Sequence, residues 1–169
     1  MMPPEEVVRV LDILHLASVQ SWLDGGWGVD ALLGEQTRDH SDLDVVIDLD
    51  DSEGAISALS GLGYAVDEDL RPTRFVLSAG ANRKIDFHPV VFDETGNALQ
   101  KGAMPGGGDA PYPAWGFAGH GSIADRPVNC LTPALLVLHH TGYAPQDKDR
   151  HNVRLLCERF GIELPPAYR

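Results

Sequence analysis

Trp22-Leu23-Asp24-Gly25-Gly26-Trp27-Gly28-Val29-Asp30, with Arg38-Asp39-His40-Ser41-Asp42-Leu43-Asp44 close behind, is the stretch on which the reading of this 169-residue chain turns. Gly25 and Gly26 let the backbone approach a ligand closely. The short helix that opens there, through Ala31 and Leu33, points unpaired N–H groups outward, which suits an anion. The plain alternative is a strand-to-helix turn with no ligand. Asp42 to Leu49 is apolar and β-branched at its centre and reads as a strand. Residues two apart on a strand share a face, so Asp42 and Asp44 would lie side by side, about 7 Å apart. Two carboxylates at that distance repel by about 2 kcal/mol at an effective dielectric of about 20. A hard cation removes the cost, and oxygen donors in an acidic cleft suit Mg²⁺.

An Asp-x-Asp pair is weak evidence alone, because the chain holds four: Asp42/Asp44, Asp48/Asp50, Asp67/Asp69 and Asp147/Asp149. The last three read as solvated turn or helix-start residues. Context sets the first apart, with the glycine turn upstream and Arg38 and His40 just before it. A third acidic strand, Ile85-Asp86-Phe87-His88, carries Asp86 and His88 on one face. If it neighbours the first, Asp86 completes a three-carboxylate cluster, as a metal ligand, a base or both. His88 is the competing base, or else a structural histidine bonded to a carbonyl.

The wider sequence bounds what such a cluster can serve. A formal charge of −12, with 13 Lys and Arg against 25 acids, excludes long nucleic acids as partners. It favours a small cationic metabolite or drug instead. Cys130 and Cys157 lack metal or redox spacing and read as buried thiols in a reducing cytosol. The N-terminus has no signal core and no apolar run is long enough to span a bilayer, so the expected location is cytoplasmic, with no membrane partner.

Periodicity gives helices over about 4–17, 51–62, 133–140 and 147–160, and strands over 21–24, 42–49, 74–77, 84–90 and 126–130. The strands at 74–77 and 84–90 would join across Gly80-Ala81-Asn82. Composition changes after Asp93: residues 102–121 are rich in Gly and Pro and read as one long loop. Its Tyr112, Trp115 and Phe117 would shape an acceptor pocket or anchor the loop to the core. The expected division is 1–95 for the core and 96–169 for a loop and helical subdomain shaping the acceptor site. Lys148 would reach a phosphate or simply be exposed.

The stretch from Trp22 to Asp30, with Arg38-x-His40-x-Asp42-Leu43-Asp44 and Asp86-Phe87-His88-Pro89, resembles the small lincosamide nucleotidyltransferases. It resembles more distantly the aminoglycoside 2″-adenylyltransferases. Both belong to the DNA polymerase β-type nucleotidyltransferase superfamily. The likeness continues through Gly107-Gly108, Arg126-Pro127-Val128-Asn129-Cys130, His140-Thr141-Gly142-Tyr143 and the last helix. It implies an α+β fold, a palm-like mixed sheet flanked by helices with a small C-terminal helical part. It also implies transfer of AMP from ATP to a hydroxyl of an antibiotic-like acceptor, a lincosamide first and an aminoglycoside next, with release of pyrophosphate. Asp42, Asp44 and Asp86 would be the metal set for Mg²⁺, two ions in all. Asp86 and His88 would be the catalytic pair. Gly25, Gly26 and Arg38 match the phosphate side, with His40 placed beside them. Where the wider superfamily often has Gly-Ser at the turn, Trp27 follows Gly26, so backbone N–H groups must serve the phosphate. The oligomeric state stays open, a homodimer included. Competing readings are an antitoxin-like or protein-modifying relative, and a phosphatase using Asp48 and Asp50.

Overall fold

A computed structural model describes residues 1–169. The chain runs α1 (Pro4–Leu16), β1 (Ser21–Leu23), α2 (Gly25–Leu33), β2 (Leu43–Asp48), α3 (Ser52–Ser60), β3 (Ala65–Leu70), β4 (Arg74–Ser78), β5 (Lys84–Phe92), β6 (Ala98–Gln100), β7 (Ala110–Tyr112), β8 (Gly119–Ile123), β9 (Arg126–Cys130), α4 (Pro133–His139) and α5 (Asp147–Phe160). The strands form a mixed sheet in the order β3-β4-β5-β2-β1-β9-β8, with β6 added to β5 and β7 to β6. β2 and β5 are parallel, with Leu43 opposite Ile85 and Asp44 opposite Asp86. β4 and β5 form the expected antiparallel pair.

Alternation on the central strands fixes which side is buried. Leu43, Val45 and Ile47 of β2 join Ile85, Phe87, Phe75 and Leu77 in one core, capped by Val7, Val10 and Leu14 of α1 and Ala55 and Leu59 of α3. Val46 faces the other way, into a second core with Trp22, Val90, Leu135, Leu136, Val153, Leu156 and Tyr168. That second layer, built by α4 and α5, leaves Asp44, Asp86 and His88 part-exposed beside it. Residues 96–169 therefore contribute strands to the same sheet as well as helices to its second face.

The long loop expected over 102–121 is corrected: it contains β7, a 3-10 turn at Ala114–Phe117 and the start of β8. The glycines there serve contact. A Cβ on Gly119 would strike the carbonyls of Cys130 and Leu131, and one on Gly121 would strike the Ala31 carbonyl. Glycine needed for close backbone approach and glycine in a mobile loop look alike in sequence. Tyr112 and Phe117 anchor this segment, Phe117 packing 4.9 Å from both Trp22 and Phe92, while Trp115 stays exposed. Asp67 and Asp69 lie on β3, a wholly exposed edge strand, and not in a turn or helix start. Charge is how an edge strand avoids pairing with other chains, and it also hides the strand from a hydrophobic pattern. Asp147 and Asp149 do open α5, where Asp149 and Gln146 form a capping box. Asp48 accepts from the Asp50 N–H to cap a 3-10 turn.

Candidate active site

Asp44 is the second residue of β2 and Asp86 the third of β5, and the parallel register sets them directly opposite. His88, two residues along β5, turns to the same face, with Nε2 3.1 Å from Asp44 Oδ1. One ligand atom from each of Asp44, Asp86 and His88 falls within 4.8 Å of the others. Across from them on β4, Arg74 spans both Asp86 oxygens, donating from Nε at 3.2 Å and Nη2 at 3.0 Å. The same Nη2 lies 3.0 Å from Glu68 on β3. Asp42 stands just before β2, part-exposed, and accepts from Ser41 Oγ at 3.0 Å. It lies outside the cluster of three but close enough for its charge to act on Asp44.

The glycine turn passes over these acids. Asp24 caps α2 by accepting from the Gly25 N–H at 2.7 Å, and its own N–H donates to the Asp44 carbonyl at 3.0 Å. Gly25 has φ +56°, and a Cβ there would collide with the Asp44 carboxylate. Glycine is thus required twice, for backbone conformation and for room. A Cβ on Gly26 would collide with the His40 ring and the Arg38 guanidinium. Arg38 therefore lies against the N-terminal turn of α2, part-exposed, held through Nε to Asn152 Oδ1 of α5 at 3.4 Å. His40 differs: it is buried and paired with the buried Asp30 of α2. Asp30 also accepts from the Thr37 N–H and hydroxyl, at 3.1 and 2.7 Å. His40 thus braces the turn from beneath and fixes the loop that carries Arg38.

Electrostatics follow from this crowding. Burial pushes the Asp44 carboxyl up, and the charges of Asp24 and Asp42 add to that, so it stays raised despite His88. Burial would lower His88, yet the bond to Asp44 and the charges of Asp44, Asp24 and Asp86 outweigh it and lift its pKa to about 9. Burial would raise Asp24, but His139, His88 and the Gly25 N–H hold it at about 2. His139 Nδ1 of α4 is 3.7 Å from Asp24 Oδ2. Asp24, Asp44 and Asp86 thus each face a nitrogen group from another element: His139, His88 and Arg74. The carboxylate oxygens of Asp44 and Asp86, brought together at the part-exposed end of the strands, are hard donors of the kind that fit a divalent ion such as Mg²⁺.

Sequence reasoning missed Asp24, Asp30, Arg74, His139 and Gln100, and it singled out Tyr112 as a pocket or anchoring residue without the bond to Gln100 behind His88. An aspartate directly before a glycine-led helix is an N-cap signal and marks Asp24. The others touch the site only through strand pairing or helix docking, which no local pattern announces.

No helix is long and apolar enough to cross a membrane. The chain is 31% identical over 152 residues to a lincosamide resistance protein of Staphylococcus haemolyticus, spanning 90% of this chain and 92% of that one. It is 28% identical to a 2''-aminoglycoside nucleotidyltransferase of Klebsiella pneumoniae over 99% of this chain and 95% of the relative. Among solved structures, the lincomycin-bound lincosamide antibiotic adenylyltransferase LnuA superposes with a TM-score of 0.80 at 30% identity, covering 92% of this chain and 96% of that one. The sheet and its helices are thus a nucleotidyltransferase fold. The model of the aminoglycoside-2''-adenylyltransferase family matches residues 6–156, and the chain belongs to that family of nucleotidyltransferases.

Proposed function

We propose that the chain transfers AMP from ATP to a hydroxyl of an antibiotic-like acceptor, a lincosamide in preference to an aminoglycoside, and releases pyrophosphate. The observation that carries this reading is the side-by-side placement of Asp44 and Asp86 on parallel strands, with His88 beside them and the Gly25 turn above. The lincosamide preference draws support from the relatives: 31% identity to the lincosamide resistance protein against 28% to the aminoglycoside enzyme. A negative cleft in a chain of net charge −12 suits a cationic acceptor of either class.

Each residue then has a task. The Gly25 N–H stays on the Asp24 cap while Gly25 gives the turn its close approach, the Gly26 N–H at the start of α2 donates to a phosphate oxygen, and Arg38 adds paired donors beside it. Asp44 and Asp86 would hold Mg²⁺, with Asp42 contributing at the open end of β2. When bound, Mg²⁺ supplies charge neutralisation for the triphosphate and acidifies the acceptor hydroxyl. The acceptor oxygen bonds to the α-phosphorus, the α–β phosphoanhydride breaks, and pyrophosphate leaves with the electron pair. Asp86 takes the hydroxyl proton, while His88 holds Asp44 in place. Catalysis is then mainly positioning and charge stabilisation. The test is mass spectrometry of lincomycin, clindamycin, tobramycin and kanamycin after incubation with ATP, Mg²⁺ and the protein. A nucleoside-monophosphate adduct on a lincosamide is expected. An adduct on aminoglycosides alone would reverse the acceptor preference, and no adduct on any of them would overturn the reading.

A further inference from the structure

β6 lies outside the strands that carry the acids, and its last residue, Gln100, is only 6% exposed. A buried amide must have its donors and acceptor matched. Gln100 Oε1 accepts from the Tyr112 hydroxyl at 2.9 Å, and Nε2 donates to the Thr73 carbonyl at 2.8 Å. A carbonyl can only accept, so Thr73 fixes which end of the amide is nitrogen; a flipped amide would set two oxygens against each other. With both ends fixed, the group Gln100 turns to His88 is an N–H, with Nε2 3.4 Å from Nδ1; it donates to the neutral ring, whose own proton then sits on Nε2 facing Asp44. The opposite ring nitrogen is the one that meets Asp44. The imidazole is therefore held between an amide behind it and a carboxylate in front.

We propose that Gln100 is a positioning residue, locked by Tyr112 and Thr73, that backs the His88 ring so that Nε2 stays on Asp44. The inference rests on the nucleotidyltransferase reading of the site, and it makes residues beyond 95 part of the acidic centre's alignment. Without the amide, the ring can turn about its Cβ–Cγ bond and leave Asp44 without the neighbour that fixes its rotamer. Partners standing one step behind a metal-site group typically change affinity or activity by about 10–100-fold when removed.

Gln100→Met keeps the side-chain length and removes both donors. The expected result is a fall in kcat of about 10–100-fold, with KM for ATP and acceptor changed by less than about threefold and an unchanged circular dichroism spectrum. Gln100→Glu, which keeps the shape but sets an oxygen against the Thr73 carbonyl, is expected to fail as a rescue. The decisive measurement is a double-mutant cycle: in a His88→Ala background, Gln100→Met should change kcat by less than about twofold, because its route is already gone. Mn²⁺ affinity, measured by electron paramagnetic resonance without turnover, should weaken in Gln100→Met. If the wild-type protein transfers no nucleotide but the Mn²⁺ shift appears, the transferase reading fails and the positioning stands. The proposal is overturned by a Gln100→Met enzyme with wild-type kcat and Mn²⁺ affinity. A loss of equal size in both backgrounds also overturns it, as does a loss that cooling restores along with the fold.

Discussion

Gly25→Ala tests the architecture of the site with one methyl group. The residue sits at φ +56°, and the new Cβ would point into the Asp44 carboxylate. Holding alanine in the left-handed region costs about 1–2 kcal/mol. If the turn also lifts to clear the Asp44 carboxylate, the 2.7 Å bond from the Gly25 N–H to Asp24 weakens, and loss of such a cap costs about 1 kcal/mol more. The combined penalty of about 2–3 kcal/mol is below the usual stability of a domain, so the protein stays folded at room temperature. For a chain of this size it lowers Tm by roughly 5–10 °C. Activity should suffer far more. Asp44 must rotate away from the methyl, which takes it off His88 and out of line with Asp86, and a misplacement of about 1 Å at a reacting centre can cost about 10²-fold. The assay is adenylyl transfer to lincomycin beside thermal unfolding of the same sample. The expected outcome is at least about a hundredfold loss in kcat/KM with a folded protein. A Gly25→Ala enzyme within threefold of wild type would show that the turn does not constrain Asp44, and the proposed site would lose its roof.

Asp44→Asn and Asp86→Asn should each lower kcat by about 10³-fold or more, since a bound cation's charge stabilisation is worth several kcal/mol. His88→Ala should cost less than Asp86→Asn, and the reverse order would make His88 the base. Arg74→Met should lower kcat about tenfold by freeing the Asp86 carboxylate, with Arg74→Lys restoring only part, because an ammonium cannot span both oxygens; steady-state kinetics at saturating ATP decides it. The metal-free protein should also lose stability as pH rises. His88 has a folded pKa of about 9 against an ordinary 6.5, so its contribution is complete below about pH 6.5 and is lost as pH passes through 9, with an upper bound of about 3 kcal/mol. Urea titrations in EDTA should show this decline in wild type and not in His88→Ala; parallel curves for both would refute it.

What could be read locally was read correctly in kind. The periodicity of Val7, Val10 and Leu14 marks α1, and the β-branched centre of β2 and the Pro133 helix start are also local signals. Elements whose reason lies elsewhere in the fold were invisible. β3 is a charged edge, and β8 is glycine-rich because it packs backbone to backbone against Ala31 of α2 and Leu131. The site divides the same way. Asp44 and Asp86 stood out by strand spacing, but nothing in the sequence places β5 directly beside β2, and that parallel pairing makes them neighbours. His40 shows the opposite error: proximity to Asp42 in sequence suggested a ligand-facing side chain, whereas its pairing with buried Asp30 turns it into the scaffold.

The pairing of charges at the cleft bears on how such a site can exist before its substrates arrive. Asp24, Asp44 and Asp86 converge where a folded chain would ordinarily avoid like charges, and two carboxylates a few ångströms apart repel by several kcal/mol in a part-buried setting. Their nitrogen-bearing partners come from three different elements: His139 from α4, His88 from β5 and Arg74 from β4. Each holds its carboxylate in one orientation, so the acids are aligned while the metal is absent, and little rearrangement remains when one is supplied. The partners are not equivalent. The Arg74 fork is fixed in charge and touches both Asp86 oxygens, whereas the Asp44 partner is a histidine that can give up its proton when a divalent cation takes over the compensation. In the proposed reaction, Asp44 would be the carboxylate whose partner yields to Mg²⁺, and Asp86 the one whose direction is fixed throughout by the Arg74 fork.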